Sequence, residues 1–98
     1  MLHIINKSPL TNSALDSCLR VTQSGDVLLI EDAVYAVTAD NAFEARMHEA
    51  MGRLKVYVLQ PDIEARGLAD RVIAGVTSVD YGGFVDLVTT NKNCQSWL

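Results

Sequence analysis

The chain has 98 residues and a net charge of −4, with 49% hydrophobic and only 20% charged residues and a mean hydropathy of +0.15. No run of Lys or Arg supplies the cationic footprint that phosphate backbones and anionic lipid surfaces require, which excludes direct nucleic-acid binding and docking on a membrane. No window approaches the roughly 18–20 apolar residues of a membrane span.

One domain of this size has little interior. Part of its apolar complement is therefore expected at a contact with another protein.

The opening Met1-Leu2-His3-Ile4-Ile5-Asn6-Lys7-Ser8-Pro9 runs a first apolar strand, residues 2–6, into a polar turn. A secretory signal begins with a basic region and a longer apolar core. This start has neither, so the expected compartment is the cytoplasm, where Cys18 and Cys94 stay as thiols. No Cys or His pair stands at metal-ligand spacing, and zinc is not expected. Asn6-Lys7-Ser8-Pro9 lacks the glycines of a phosphate-binding loop, and no cofactor is expected either. His3, near the start of a strand, reads as a sheet-edge side chain rather than a general base.

Ser13 opens the first predicted helix, with Asp16 three residues on as the acid of a capping box. Leu15, Cys18, Leu19 and Thr22 follow at i, i+3, i+4 and i+7 and make one inward stripe. Ser24-Gly25-Asp26 turns the chain into a second strand, residues 27–31. Glu31-Asp32 stands at its carboxyl end, where open α/β sheets place ligand crevices. Asp32 equally suits an ordinary helix N-cap, the preferred assignment. The apolar run Ala33-Val34-Tyr35-Ala36-Val37 reads either as a buried helical turn or as a contact surface.

A second helix is predicted from Asp40, burying Phe43, Met47, Ala50 and Met51. Its solvent side carries His48 and a Glu49–Arg53 pair, and Gly52 stops it. A third strand covers residues 54–59, Pro61 starts a short helix that ends at Gly67, and a weaker fourth strand covers 76–79. The last helix starts at Asp80 with Phe84, Val85, Leu87 and Val88 as its apolar face, and Gly82 and Gly83 permit close backbone approach. Residues 91–98 read as a polar tail closing on Trp97-Leu98. Continuous apolar strands alternating with helices place the chain in the α/β class. The expected architecture is a single three-layer domain over residues 1–98 with a mostly parallel sheet of about four strands.

Four segments carry a resemblance: the opening stretch, Gly25-Asp26-Val27-Leu28-Leu29-Ile30-Glu31-Asp32, Leu54-Lys55-Val56-Tyr57-Val58-Leu59 and Val79-Asp80-Tyr81-Gly82-Gly83-Phe84. In this order, and over nearly the whole chain, they resemble the DsrH/TusB family of small sulfur-relay subunits. The resemblance implies a DsrE/DsrH-like fold and a place as the smallest of three related subunits in a heterohexamer. The implied partners are a DsrE/TusD-like and a DsrF/TusC-like sister subunit, with a DsrC/TusE-like protein as downstream sulfur acceptor. The implied function is an accessory, non-catalytic role in a cytoplasmic persulfide relay. That relay serves either tRNA wobble 2-thiouridine synthesis or dissimilatory sulfur oxidation.

The recognised persulfide cysteine of such complexes belongs to a larger sister subunit, and no cysteine lies between Cys18 and Cys94 here. Cys18 falls where DsrH-type members carry a cysteine in their first helix. The closing Cys94-Gln95-Ser96-Trp97-Leu98 looks like the Trp-containing DsrH-type end. Both favour the Dsr branch. Relatives usually have Gly directly after the acid at Asp32, whereas Ala33 stands here, so the turn needs no positive φ or differs slightly.

Two other functions remain open. Cys18 could itself carry sulfur, which requires a depressed pKa and access; the nearby Arg20 lies on the wrong helix face to lower it. Alternatively, the Glu31-Asp32 crevice could serve a stand-alone small-molecule binding module. Val34, Tyr35 and Val37, and Trp97 with Leu98, lie outside the clearest stripes, and at least one of these clusters, the Val34–Val37 turn by preference, is expected to meet another subunit. Tyr35→Asp is then expected to spare the isolated fold and weaken assembly.

Overall fold

The four runs predicted as strands form β1 (Leu2–Ile5), β2 (Asp26–Leu29), β3 (Lys55–Leu59) and β4 (Thr77–Val79). The computed structural model, which describes residues 1–97, adds β5 (Cys94–Trp97). All neighbouring pairs are parallel, and the sheet order is β4-β3-β2-β1-β5. The sheet thus has five strands rather than about four, because the segment read as a tail pairs with β1. An edge strand needs a partner on one side only. Cys94, Gln95 and Ser96 stay exposed, so this strand lacks the apolar signature that marks a buried one. Leu98 lies outside the described residues.

The helices are α1 (Ala14–Val21), α2 (Glu44–Met51), α3 (Gln60–Ala65) and α4 (Tyr81–Thr90), with 3-10 turns at Glu31–Val37 and Ala69–Arg71. Strand alternation sends His3, Ile5, Val27, Leu29, Val56 and Val58 to one face of the sheet. There the main core closes over the apolar ones with Leu15, Cys18 and Leu19 of α1, Val34 and Val37 of the 3-10 turn, and Met47 of α2. The opposite face holds a smaller core of Leu2, Leu28 and Leu87, flanked by Ile4, Tyr57, Val79 and Phe84. Of the helices, only α4 contributes to it. That helix leaves β4 at one edge and feeds β5 at the other. The outcome is a three-layer α/β domain with unequal outer layers.

Several caps differ from the sequence expectation because long-range partners compete for the same side chains. Ser13 occupies the N-cap of α1 without a side-chain cap bond. Instead Asn12 Oδ1 accepts from the Ala14 N–H at 2.7 Å. Asp16 pairs with Arg20 at 2.9 Å and with Arg46 of α2. A carboxylate held between two guanidiniums gains more than one reaching back to a backbone N–H, so no capping box forms. Asp40 has a left-handed φ of 66°, and α2 starts only at Glu44, which reaches back to the Asp40 N–H at 2.8 Å.

Asp32 is not an N-cap. It lies within the 3-10 turn, whose cap is Ile30, and accepts from Arg66 at 2.9 Å. The turn does require a positive φ, at Glu31 (50°) rather than at Ala33. Asp62 compensates by accepting from the Glu31 N–H at 2.6 Å.

At α4 the expectation holds in part. Asp80 Oδ1 accepts from the Gly83 N–H at 2.8 Å, a true N-cap. A Cβ at Gly83 would stand 2.8 Å from the Val79 Cβ, so the helix start packs against its own strand in a way only glycine permits. The predicted apolar face is too broad for one contact: Leu87 is buried and Phe84 half-buried, but Val85 points outward, 60% exposed.

Candidate functional site

The inward stripe of α1 closes Cys18 off completely, with 0% of its surface exposed. Its Sγ lies 3.7 Å from Thr22 Oγ1, one helical turn on. Thr22 Oγ1 is in turn 3.5 Å from His3 Nε2, and Trp97 Nε1 donates to His3 Nδ1 at 3.1 Å. Sheet register brings these groups together: His3 on β1 lies beside Gln95 of β5, and Trp97 follows two residues later on the same face. His3 is therefore an interior residue, 7% exposed, not a sheet-edge one, because β5 covers the side the sequence left open.

Chemistry fixes the direction of this chain of bonds. An indole N–H can only donate, so Nδ1 of His3 must be unprotonated and Nε2 carries the proton of the neutral ring. Nε2–H then faces the Thr22 oxygen, leaving the Thr22 hydroxyl proton free to point at the Cys18 sulfur. Burial lowers the His3 pKa below its ordinary value, with the Met1 ammonium adding to the effect. Burial also raises the Cys18 pKa, against smaller opposing pulls from the Thr22 hydroxyl and the Arg53 guanidinium. At neutral pH the resting state is thus a neutral imidazole and a protonated thiol.

Arg53 closes the end of α1 by donating to the Leu19 carbonyl at 2.9 Å and to the Thr22 carbonyl, while keeping its expected pair with Glu49 at 3.2 Å. Cys94 shares the sheet face of Leu2, opposite to the Cys18 side, and is exposed. Peptide-resolved alkylation should therefore label the exposed Cys94 readily and Cys18 at least ~100-fold more slowly, set by local opening. In denaturant the two rates should converge. Equal rates in the native protein would show that the Cys18 pocket is open.

At the carboxyl ends of the strands, Glu31 and Asp32 are already engaged. Asn6 Nδ2 donates to Glu31 Oε2 at 3.3 Å, and Arg66 bridges Asp32 at 2.9 Å and Asp62 at 3.7 Å. Among the described residues no group of three or more His, Cys, Asp and Glu side chains could hold a metal ion. An open depression of about 360 Å³ at the other end is lined by Asp26, Gly52, Arg53 and Lys55 among others.

The structure finds room for part of the expected contact surface. Val34 and Val37 have no exposed area and belong to the main core, so the Ala33–Val37 run is a buried helical turn. A partner cannot touch those two while the turn is folded. Tyr35 and Trp97 pack against the same core and remain partly exposed.

The apolar surface the sequence reading missed lies on α4. Tyr81 (63% exposed), Val85 (60%) and Val88 (39%) line up at i, i+4 and i+7. A signal for it existed. Tyr81, Phe84, Val85, Leu87 and Val88 span more of a helix circumference than one sheet contact can bury.

A family profile described as "DsrH like protein" matches residues 7–94. The chain is 36% identical over 99 aligned residues to "Protein TusB" of Escherichia coli O81 (strain ED1a), covering 99% of this chain and 100% of the relative. It is likewise 36% identical over 98 residues to "Protein TusB" of Serratia proteamaculans (strain 568), with the same coverage. Among solved structures, the ychN protein from E. coli superposes with a TM-score of 0.77 over 97% of both chains at 17% identity. MTH1491 from Methanobacterium thermoautotrophicum, a protein of unknown function, gives 0.76 at 18% identity, over 97% of this chain and 95% of that one. These two likenesses speak for the fold, and the full-length sequence matches speak for descent: the chain belongs to the DsrH family.

Proposed function

We propose that the protein is a non-catalytic subunit of a cytoplasmic sulfur relay, assembled with DsrE/TusD-like and DsrF/TusC-like sister chains. Membership of the DsrH family across residues 7–94 carries this proposal. Two features of the chain agree with it. The Cys18 thiol is enclosed and held protonated, a poor resting state for a nucleophile. Meanwhile α4 presents an apolar stripe that its own domain does not cover. The relay would feed a DsrC/TusE-like acceptor, in tRNA wobble thiolation or in sulfur oxidation. No helix among the described residues is long and apolar enough to cross a membrane.

Affinity purification of the tagged chain from its native cells should recover two related subunits in fixed ratio. A chain that elutes alone as a monomer would remove the proposal.

A second function, sulfur carriage by Cys18 itself, draws support from the Thr22 hydroxyl, which lies 3.7 Å from the sulfur and would stabilise a thiolate there. In that case the thiolate attacks the outer sulfur of a donor persulfide. A new S–S bond forms as the old one breaks, and the donor leaves as a thiolate, with no net oxidation. Loading with a sulfane-sulfur donor should then add 32 Da, about one sulfur atom, to Cys18 in the wild type and not in Cys18→Ser. Gain on Cys94 alone, or on neither, would eliminate this role. Nothing in the paired carboxylates at Glu31 and Asp32 favours a stand-alone binding module.

A further inference from the structure

The strand β5 is held to the domain by few side-chain contacts. It pairs with β1 alone, and Cys94, Gln95 and Ser96 are exposed. Its one side chain that reaches the main core is Trp97, whose indole N–H ends on His3 Nδ1 at 3.1 Å. That acceptor is a titratable nitrogen. When an imidazole takes up a second proton, both ring nitrogens become donors, and the indole N–H is left facing another N–H. We propose that His3 and Trp97 form an acid-sensitive latch: protonation of His3 at Nδ1 removes the acceptor of the Trp97 N–H and loosens β5 from its carboxyl end.

The charges around His3 favour a latch that is closed at neutral pH. Just ahead of its own strand stands the Met1 ammonium, which opposes a second positive charge. From α1 come the Thr22 hydroxyl and, beyond it, the neutral Cys18 thiol. After α2, the Arg53 guanidinium bonds to the Thr22 carbonyl. On the flanking strands the register partners are Val27 and Gln95, neither of which titrates. Asp26 pairs with Leu2 and therefore belongs to the other face of the sheet. No carboxylate in this set would stabilise an imidazolium.

The sign of the pH dependence follows. His3 is depressed in the folded chain, so its contribution to stability is complete above the unfolded value of about 6.5. That contribution is lost as pH falls from there through the lower folded pKa. A loosened β5 also bares the edge of β1, an unpaired row of backbone groups open to another strand. The latch is independent of the relay role and acts in the isolated chain, so its failure leaves the subunit assignment standing.

Trp97 is the single tryptophan, so the full-length chain reports on itself. On titration from about pH 8 to 5, the Trp97 emission should shift to the red with a midpoint below about 6.5 while far-UV circular dichroism is unchanged. Amide exchange at Gln95, Ser96 and Trp97 should accelerate at least ~10-fold beyond the intrinsic pH effect. His3→Gln, whose carboxamide oxygen can accept from the indole at any pH, should abolish the transition. Flat emission and flat β5 exchange, a transition that persists in His3→Gln, or a simultaneous collapse of the circular dichroism would each overturn the latch. Should His3→Gln fail to fold, nitrogen-15 spectra of the wild-type imidazole decide. Nδ1 must be unprotonated at about pH 8, and the opposite tautomer would overturn the proposal.

Discussion

Val34→Asp is expected to unfold most of the isolated chain in buffer. Val34 has no exposed surface and sits in the main core between the 3-10 turn and the sheet. An aspartate there finds no cation among the side chains of that core, which are apolar. Burying an unpaired carboxylate, or protonating it in place, costs at least about 4 kcal/mol. A domain of this length has about 5–15 kcal/mol in total, and a small one lies towards the lower end. Urea titration followed by circular dichroism should show either no folded baseline or a midpoint shifted far down. An unchanged midpoint would mean that the turn is not packed as described and that Val34 is free to meet a partner.

Val85→Asp should do the reverse. The side chain is mostly in solvent, so the stability of the isolated chain should change by no more than about 0.5 kcal/mol. If the stripe of Tyr81, Val85 and Val88 is the surface that meets a sister subunit, the new charge becomes buried and unpaired on assembly. A loss of about 2 kcal/mol or more corresponds to ~30-fold weaker binding. Analytical ultracentrifugation of the reconstituted subunits would measure it. Tyr35→Asp is the matched comparison, since Tyr35 is the partly exposed member of the turn suggested by the sequence. Weakening by Tyr35→Asp with no effect of Val85→Asp would move the contact from α4 to the turn.

Whatever depends on neighbours in sequence is legible in the chain itself. Runs such as Val27, Leu28 and Leu29 need both faces of a sheet covered, and they marked buried parallel strands. The spacing of Leu15, Cys18 and Leu19 placed the thiol inside, and the burial of all three agrees. Asp80 capped its helix because the cap partner, the Gly83 N–H, is only three residues away.

The rest was decided by groups far apart in the chain. Asp16 could have served Ser13 but is taken by Arg46, thirty residues on in another helix. His3 looked like an edge residue because nothing local announces β5, whose polar residues need satisfy only one neighbour. Val34 and Val37 find room inside because a domain's capacity depends on how many elements close over the core.

The family, the α/β alternation and the inward Cys18 are thus written locally in the chain, each following from periodicity or aligned segments. The tertiary structure alone decided that Cys18 is linked through Thr22 and His3 to Trp97, a connection made by sheet register across most of the chain. It also decided that α4 keeps an apolar face in water, because five apolar side chains on ten helical residues exceed what one side of a sheet can cover.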